Sequence, residues 1–322
     1  MTKLVLLLLA VFLVLILLNL SNLKHLSDIG QKPEQRVPRQ VLRVALVADS
    51  HNDNGLLEKA LGQIQGLGVN FVIGLGDYTD TGTMEELLAA KEVFDKSKMP
   101  YYLAAGDHDL WDSRNRGEEA LGNFRQVFGE ASRVLEQEGI QFVILDNSDI
   151  YKGISPNGWK MLEETLDKKS ITGGQGTTST TSSKLTRDTR DTLDSRGTLT
   201  FVFAHKTPFH PDSAHVMGED SAEVAQQASR LLAILEGQRD RDTEDIENAE
   251  GGAAEGLGRS RRADGFFSGD LHFFAKYRSP AGSVRITTIG AIDADRNFQG
   301  PRFGVLTIFD DWSWEVEDIE IR

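Results

Sequence analysis

The chain reads as an α/β protein, and three observations carry that reading. Apolar runs of strand length alternate with segments of helical spacing from Val41 to Ala105. Short polar clusters begin where apolar runs end: Asp49-Ser50-His51, Gly76-Asp77-Tyr78-Thr79-Asp80, Gly106-Asp107-His108-Asp109, His205, and Gly269-Asp270-Leu271-His272. Those clusters hold most of the histidines. Carboxylates and imidazoles are the side chains that bind hard and borderline divalent ions, and one carboxylate can bridge two of them, so the composition is that of a two-metal site.

The elements follow in order. Val41 to Ala48 is a buried-strand run, Leu56 to Gln65 has helical spacing, Asn70 to Leu75 is apolar again, Met84 to Phe94 is helical, and Tyr101 to Ala105 is a third strand. A β-α-β-α-β series makes parallel strands joined by right-handed crossovers, with ligand sites beyond the carboxyl ends of the strands. Asp49, Asp77 and Asp107 all fall there, delivered by three separate strands. Gly117 to Phe128 is expected to be a helix, Gln141 to Leu145 a strand, Trp159 to Leu166 a short amphipathic helix and Thr198 to Ala204 a strand. A helix ends near Leu235, Gly265 to Ser268 is a strand, and the runs Phe273 to Arg278, Ser283 to Ile289, Phe303 to Phe309 and Ser313 to Ile321 look like a meander. Two segments break the pattern, about 170–196, rich in Gly, Ser and Thr, and about 237–262, rich in Arg, Asp, Glu and Gly. Neither can bury enough apolar surface to offset its ordering entropy, so both are expected to be flexible surface insertions.

The 322 residues, 39% of them hydrophobic, suffice for one sizeable core. Excess acid, 49 Asp and Glu against 35 Lys and Arg, argues against a nucleic-acid binder that neutralises phosphates. The absence of cysteine excludes disulfides, thiolate metal sites and cysteine nucleophiles. Leu4 to Leu18 is an unbroken apolar run. A helix of that length spans roughly 22 Å against a hydrocarbon core of about 30 Å, a deficit that Lys3 and Lys24 can cover by snorkelling. Residues 1–20 are therefore expected to be a single-pass membrane anchor, with a cleaved signal peptide as the competing reading. Residues 21–40, with Pro33 and Pro38, read as a tether, and 41–322 as the catalytic domain. The short amino-terminal tail favours an extracytoplasmic body, although the positive charges after the run, Lys24, Lys32, Arg36 and Arg39, point the other way.

The order and spacing of the clusters resemble the calcineurin-like metallophosphoesterase family, whose pattern is Asp-x-His, Gly-Asp-x-x-Asp, Gly-Asn-His-Asp/Glu, a lone His, and Gly-His-x-His. The resemblance covers roughly 41–310, and includes the run Phe201-Val202-Phe203-Ala204-His205-Lys206-Thr207-Pro208. It implies a four-layer α/β/β/α sandwich with two sheets face to face and helices outside. It also implies two metal ions (Mn, Fe, Zn or Mg): Asp49, His51 and His272 for one, His205, Asp107 and Asp270 for the other, and Asp77 bridging. A hydroxide shared by the ions would attack phosphorus in line, without a covalent intermediate. His108 would bind a phosphoryl oxygen or protonate the leaving group, with the Asp80 side chain orienting its ring.

Two positions depart from that pattern: Asp107 stands where the family has Asn, and Asp270 where it has His. Both exchanges put an anion in place of a neutral ligand, which weakens attraction for phosphate and favours hard ions. The expected function is thus hydrolysis of a phosphomonoester or phosphodiester. The alternative is a catalytically degenerate metal-binding scaffold or binding protein at the envelope, and a nuclease is a third reading that the acid excess disfavours. Each piece also has a plainer explanation. Asp49 and Asp77 could be helix N-caps, His210 and His215 loop residues, Asp109 a structural hydrogen-bonding group, Trp111, Trp312 and Trp314 packing residues, and Tyr78 lies at no ligand position.

Overall fold

The computed structural model describes residues 36–167, 198–238 and 262–322. The expected anchor, most of the tether, the whole of 170–196 and nearly all of 237–262 lie outside the described residues. Among the described residues no helix is long and apolar enough to cross a membrane. The chain divides into Met1–Arg39 and Gln40–Arg322, and the second unit carries the architecture.

Strand β1 (Gln40–Val47) shows how the layers arise. Its residues alternate between two apolar cores: Leu42, Val44 and Leu46 enter one, Ala45 and Val47 the other, as the two-residue period of a strand buried on both faces requires. Helix α1 (Asn54–Gln65) follows, started by Asp53, whose carboxylate accepts from the Leu56 amide. After β2 (Phe71–Gly74), helix α2 (Met84–Ser97) begins with a reciprocal cap in which Thr83 and Glu86 each satisfy the other's backbone amide. Strand β3 (Tyr101–Leu103) leads into a single 3-10 turn at His108–Leu110, then α3 (Trp111–Asn115) and α4 (Gly122–Phe128). The helix expected from Gly117 starts only at Gly122, because Gly117 takes a left-handed conformation (φ 73°) that breaks the run.

A hairpin of β4 (Arg133–Gln137) and β5 (Ile140–Ile144) comes next. Its first strand was not foreseen, since an edge strand of mostly exposed residues has no apolar run to announce it. Helix α5 (Pro156–Asp167), β6 (Thr200–Phe203), α6 (Ala222–Leu235) and β7 (Gly265–Ser268) complete the second set of crossovers. The remaining strands are β8 (Ala275–Arg278), β9 (Arg285–Thr288), β10 (Arg302–Phe309) and β11 (Trp314–Glu320).

Two sheets result. The first runs β11-β10-β1-β2-β3 and the second β4-β5-β6-β7-β9-β8. Strands β1 to β3 are parallel, as are β5, β6, β7 and β9. The four last strands do not form the expected meander. Strands β8 and β9 pair antiparallel in the second sheet and β10 and β11 in the first, because alternation along a strand fixes which face is buried but not which sheet it joins. The crossing segment is pinned on its way, with the Ile292 and Asp293 amides donating to the Ala48 and Asp49 carbonyls.

Three apolar layers separate four structural ones. Helices α1, α2 and α4 cover the first sheet, helices α5 and α6 cover the second, and a middle core joins the inner faces. Phe142, Phe201, Phe203 and Phe267 fill that middle from one side, with Phe203 and Phe267 stacked at 4.9 Å and 13°, and Leu42, Leu46, Leu306 and Ile308 from the other. Phe203→Ala, a truncation in the layer that joins the sheets, is expected to lower unfolding free energy by about 3–5 kcal/mol, measured by urea denaturation.

Candidate metal centre

Strand ends of both sheets converge on one place, and the backbone there is bent unusually hard. Asp49, His51, Asn52, Asp77, Asp270 and His272 all have φ between 40° and 66°, a region that costs non-glycine residues roughly 1–3 kcal/mol each. Hydrogen bonds hold the bends: the amides of Asp49, His51 and Asn52 donate to the carbonyls of Gly76, Asp77 and Tyr78 at 3.0, 3.1 and 3.0 Å. Gly76 (φ 99°) and Gly106 lie so close together that a Cβ on Gly76 would sit 2.6 Å from the Gly106 amide nitrogen and from His205 Nδ1. One on Gly106 would overlap the Asp77 carboxylate.

Asp109 anchors this turn region. Wholly buried, it accepts from the amides of Asp77, Tyr78, Thr79 and Gly106 at 3.0, 3.0, 3.2 and 2.9 Å and from the Thr79 hydroxyl at 2.9 Å. Burial and the facing Asp77 carboxylate nevertheless push it up to about 7. Tyr78 is structural as well, its buried hydroxyl accepting from the Gly76 amide and donating to the Ala104 carbonyl.

The first cluster comprises Asp49, His51, Asp77 and His272, whose ligand atoms lie within 4.8 Å of one another. The Nε2 atoms of His51 and His272 face each other at 3.3 Å, and His51 Nε2 is 3.7 Å from Asp77 Oδ2. Burial depresses His51 to about 3 and also lowers His272, so both imidazoles are neutral and keep a lone pair for a cation. Burial raises Asp49 well above the carboxylate range, reinforced by Asp77 and Asp270. Two neutral imidazoles turned nitrogen to nitrogen beside two crowded, buried carboxylates fit a divalent ion, which would relieve the crowding and satisfy the donors.

The second cluster comprises Asp77, Asp107 and His205. His205 donates from Nδ1 to the Leu75 carbonyl at 2.8 Å, which turns Nε2 toward Asp107 Oδ1 at 3.1 Å and Asp77 Oδ2 at 3.4 Å. Burial opposes a charge on His205, yet Asp77 and Asp107 hold its pKa well above the ordinary value. Asp77 therefore faces both clusters.

Asp270, expected to share a cation with His205, lies with Oδ1 3.6 Å from His205 Nε2 and is also paired with two other side chains. Its Oδ1 lies 2.7 Å from Lys206 Nζ and 3.3 Å from His215 Nε2, and it is not part of either cluster of potential ligand atoms. Its Oδ2 is buried without a partner. Lys206 also reaches Asp107 Oδ1 at 3.3 Å. Burial would lower the Lys206 pKa, but Asp270 and Asp107 outweigh it and hold it above its ordinary value. His215, hydrogen-bonded to Asp270, is raised to about 9.

His108 stands at the edge of the first cluster, its ring 4.7 Å from that of His51 and stacked on Trp111 at 3.9 Å. Its Nδ1 donates to the Asp80 carbonyl at 2.7 Å, leaving Nε2 for a ligand. The expected dyad is thus made by the Asp80 main chain and not by its carboxylate. That carboxylate instead meets Asn52 Nδ2 at 3.1 Å and Arg296 Nη2 at 3.3 Å, because the crossing segment brings Arg296 to this edge. Lys206, Arg296, Asn52 and the stack on Trp111 were not foreseen as parts of the site. A lysine directly after a candidate ligand was the one available signal. His210 is a loop residue whose Nδ1 accepts from the Asp212 and Ser213 amides.

A two-sheet α/β framework gathers aspartates and histidines from both sheets into one buried centre that could hold metal ions. The chain belongs to the calcineurin-like phosphoesterase family, whose sequence model matches residues 42–237. A probable glycerophosphodiester phosphodiesterase of Arcobacter nitrofigilis is 33% identical over 102 residues, 31% of this chain and 37% of that protein, so the match spans only about a third of the relative's length. Among solved structures, a dimetal phosphatase from Danio rerio superposes with a TM-score of 0.49 at 14% identity, over 88% of this chain and 100% of that one. A purple acid phosphatase from yellow lupin (Lupinus luteus) seeds gives 0.47 at 12%, over 88% and 52%.

The depressed His51 value makes a pH prediction. Between pH 6.5 and about 3 the unfolded chain binds a proton on this residue that the folded chain refuses, so the metal-free fold loses stability as pH falls through that window. Relative to His51→Gln, the chelator-treated protein should therefore weaken below about pH 6.5, by at most roughly 1.4 kcal/mol per pH unit, read from urea denaturation at several pH values.

Proposed function

We propose that the chain hydrolyses a phosphate ester, monoester or diester, at a centre that holds two cations side by side. The observation that supports this best is Asp77, a single buried carboxylate facing two clusters of potential ligands at the meeting point of both sheets. Asp49, His51, Asp77 and His272 would hold a divalent ion at the first cluster, and Asp77, Asp107 and His205 define the second cation position. A divalent ion held by the first cluster would supply acidification of water toward neutral pH and polarisation of a phosphoryl oxygen.

The remaining work falls to side chains already in place. His108, with Nδ1 fixed on the Asp80 carbonyl and its ring flat on Trp111, presents Nε2 to bind a phosphoryl oxygen or to protonate the leaving oxygen. Arg296, paired with Asp80 and Asp293, stands at the same edge, where its guanidinium could also meet an anionic substrate. Similarity to a probable glycerophosphodiester phosphodiesterase makes diesters the first class to test. The apolar run Leu4 to Leu18 would tether the body to a membrane, with the body on the extracytoplasmic side.

A second reading, a metal-binding scaffold with little turnover, is favoured by the pairing of Asp270 with Lys206. The two part on one experiment: elemental analysis of the purified chain, then assay of an aryl phosphate monoester and diester with Mn²⁺, Fe²⁺, Co²⁺, Zn²⁺ and Mg²⁺. Turnover with any of these ions supports the enzyme, whereas bound metal without turnover supports the scaffold. Within the enzyme reading, Asp77→Asn should abolish both metal retention and hydrolysis. His108→Ala should keep its metal and lose roughly a hundredfold or more in turnover.

A further inference from the structure

Lys206 is placed where a second ion would compete with it. Its Nζ lies 2.7 Å from Asp270 Oδ1 and 3.3 Å from Asp107 Oδ1, with the side chain only 5% exposed. Those oxygens also lie close to His205 Nε2, at 3.6 and 3.1 Å, with Asp77 Oδ2 at 3.4 Å. A divalent ion bound through oxygen sits roughly 2.0–2.2 Å from it. An ion taken up by Asp107 Oδ1 and His205 Nε2 would therefore share an oxygen with a buried ammonium, and the two cations would repel through a poorly screened interior.

The lysine springs from a fixed backbone. Its amide donates to Asn147 Oδ1 at 3.0 Å while its carbonyl accepts from Asn147 Nδ2 at 2.7 Å, so a fully buried asparagine clamps the backbone from both sides. The other partner is fixed too, the Asp270 amide donating to both Asp49 carboxylate oxygens at 3.1 and 3.2 Å. Asp107 and Asp270 are the two positions where a carboxylate stands in place of a neutral ligand in the pattern the sequence resembles. Lys206 thus pairs with both carboxylates, with His215 Nε2 also 3.3 Å from the Asp270 oxygen, as buried charges require. The first cluster contains no such fixed cation among its own side chains.

We infer that Lys206 supplies the second cation of the centre, so that the protein holds one divalent ion, at Asp49, His51, Asp77 and His272, beside a permanent ammonium. An ammonium has three donors. One is given to Asp270 and the charge also pairs with Asp107, so donor capacity would be left over for a phosphoryl oxygen. The inference rests on the phosphoesterase reading for its purpose, but its test counts ions and not products.

The purified full chain is stripped with chelator, reloaded with MnCl₂, desalted, and examined by elemental analysis and electron paramagnetic resonance. Wild type should carry one Mn²⁺ per chain with the spectrum of an isolated ion. Lys206→Arg should match it, and Lys206→Met should take two with the spectrum of a spin-coupled pair. Two coupled ions in wild type would overturn the inference and leave the phosphoesterase reading standing, while no bound ion would overturn both. A Lys206→Met protein that stays at one ion would also overturn it, because the ammonium would then not be what keeps the second ion out. Should Lys206→Met fail to fold, the wild-type and Lys206→Arg counts decide.

Discussion

A single buried carboxylate, Asp109, holds the centre in register. It receives five hydrogen bonds from Asp77, Tyr78, Thr79 and Gly106, and thereby ties the turn after β2 to the turn after β3. An isolated carboxylate at such depth would be prohibitive, and convergent donors make it tolerable. The return on that arrangement is position. With its amide fixed by Asp109, and its Oδ1 receiving the His108 amide at 3.0 Å, Asp77 can turn Oδ2 toward His51 on one side and His205 on the other.

Left-handed conformations at Asp49, His51, Asp77, Asp270 and His272 follow from the same demand. A parallel strand ends with its side chains alternating above and below the sheet, which cannot aim two neighbouring groups at one point. Reversing the backbone within one or two residues can. The strain is carried by the framework around it: the amides of the loop after β1 dock on carbonyls of the loop after β2, and glycines at 76 and 106 let the loops approach within a distance that a Cβ would forbid.

Much of this was legible in the sequence because it depends on short-range pattern. Runs of buried residues announced β1, β2, β5, β6 and β7, and the clusters at their ends marked where chemistry would gather. What escaped depends on contacts that no local pattern encodes. The exposed edge strand Arg133–Gln137 has no apolar signature, and the assignment of β8 and β9 to one sheet and β10 and β11 to the other is decided by tertiary pairing. Asp80 was legible as a partner of His108, but whether its carboxylate or its carbonyl makes the bond depends on where Arg296 and Asn52 draw the side chain. Excess negative charge from Asp107 and Asp270 was visible in the sequence, and the lysine that answers it stood beside His205 unrecognised.

The facing imidazoles of His51 and His272 lie 221 positions apart along the chain. During synthesis the amino-terminal sheet strands emerge long before the last donor of the first cluster, so a growing chain offers Asp49, His51 and Asp77 to the solvent with no closed cage around them. The first cluster would therefore close around a cation only once strand ends from both sheets had come together.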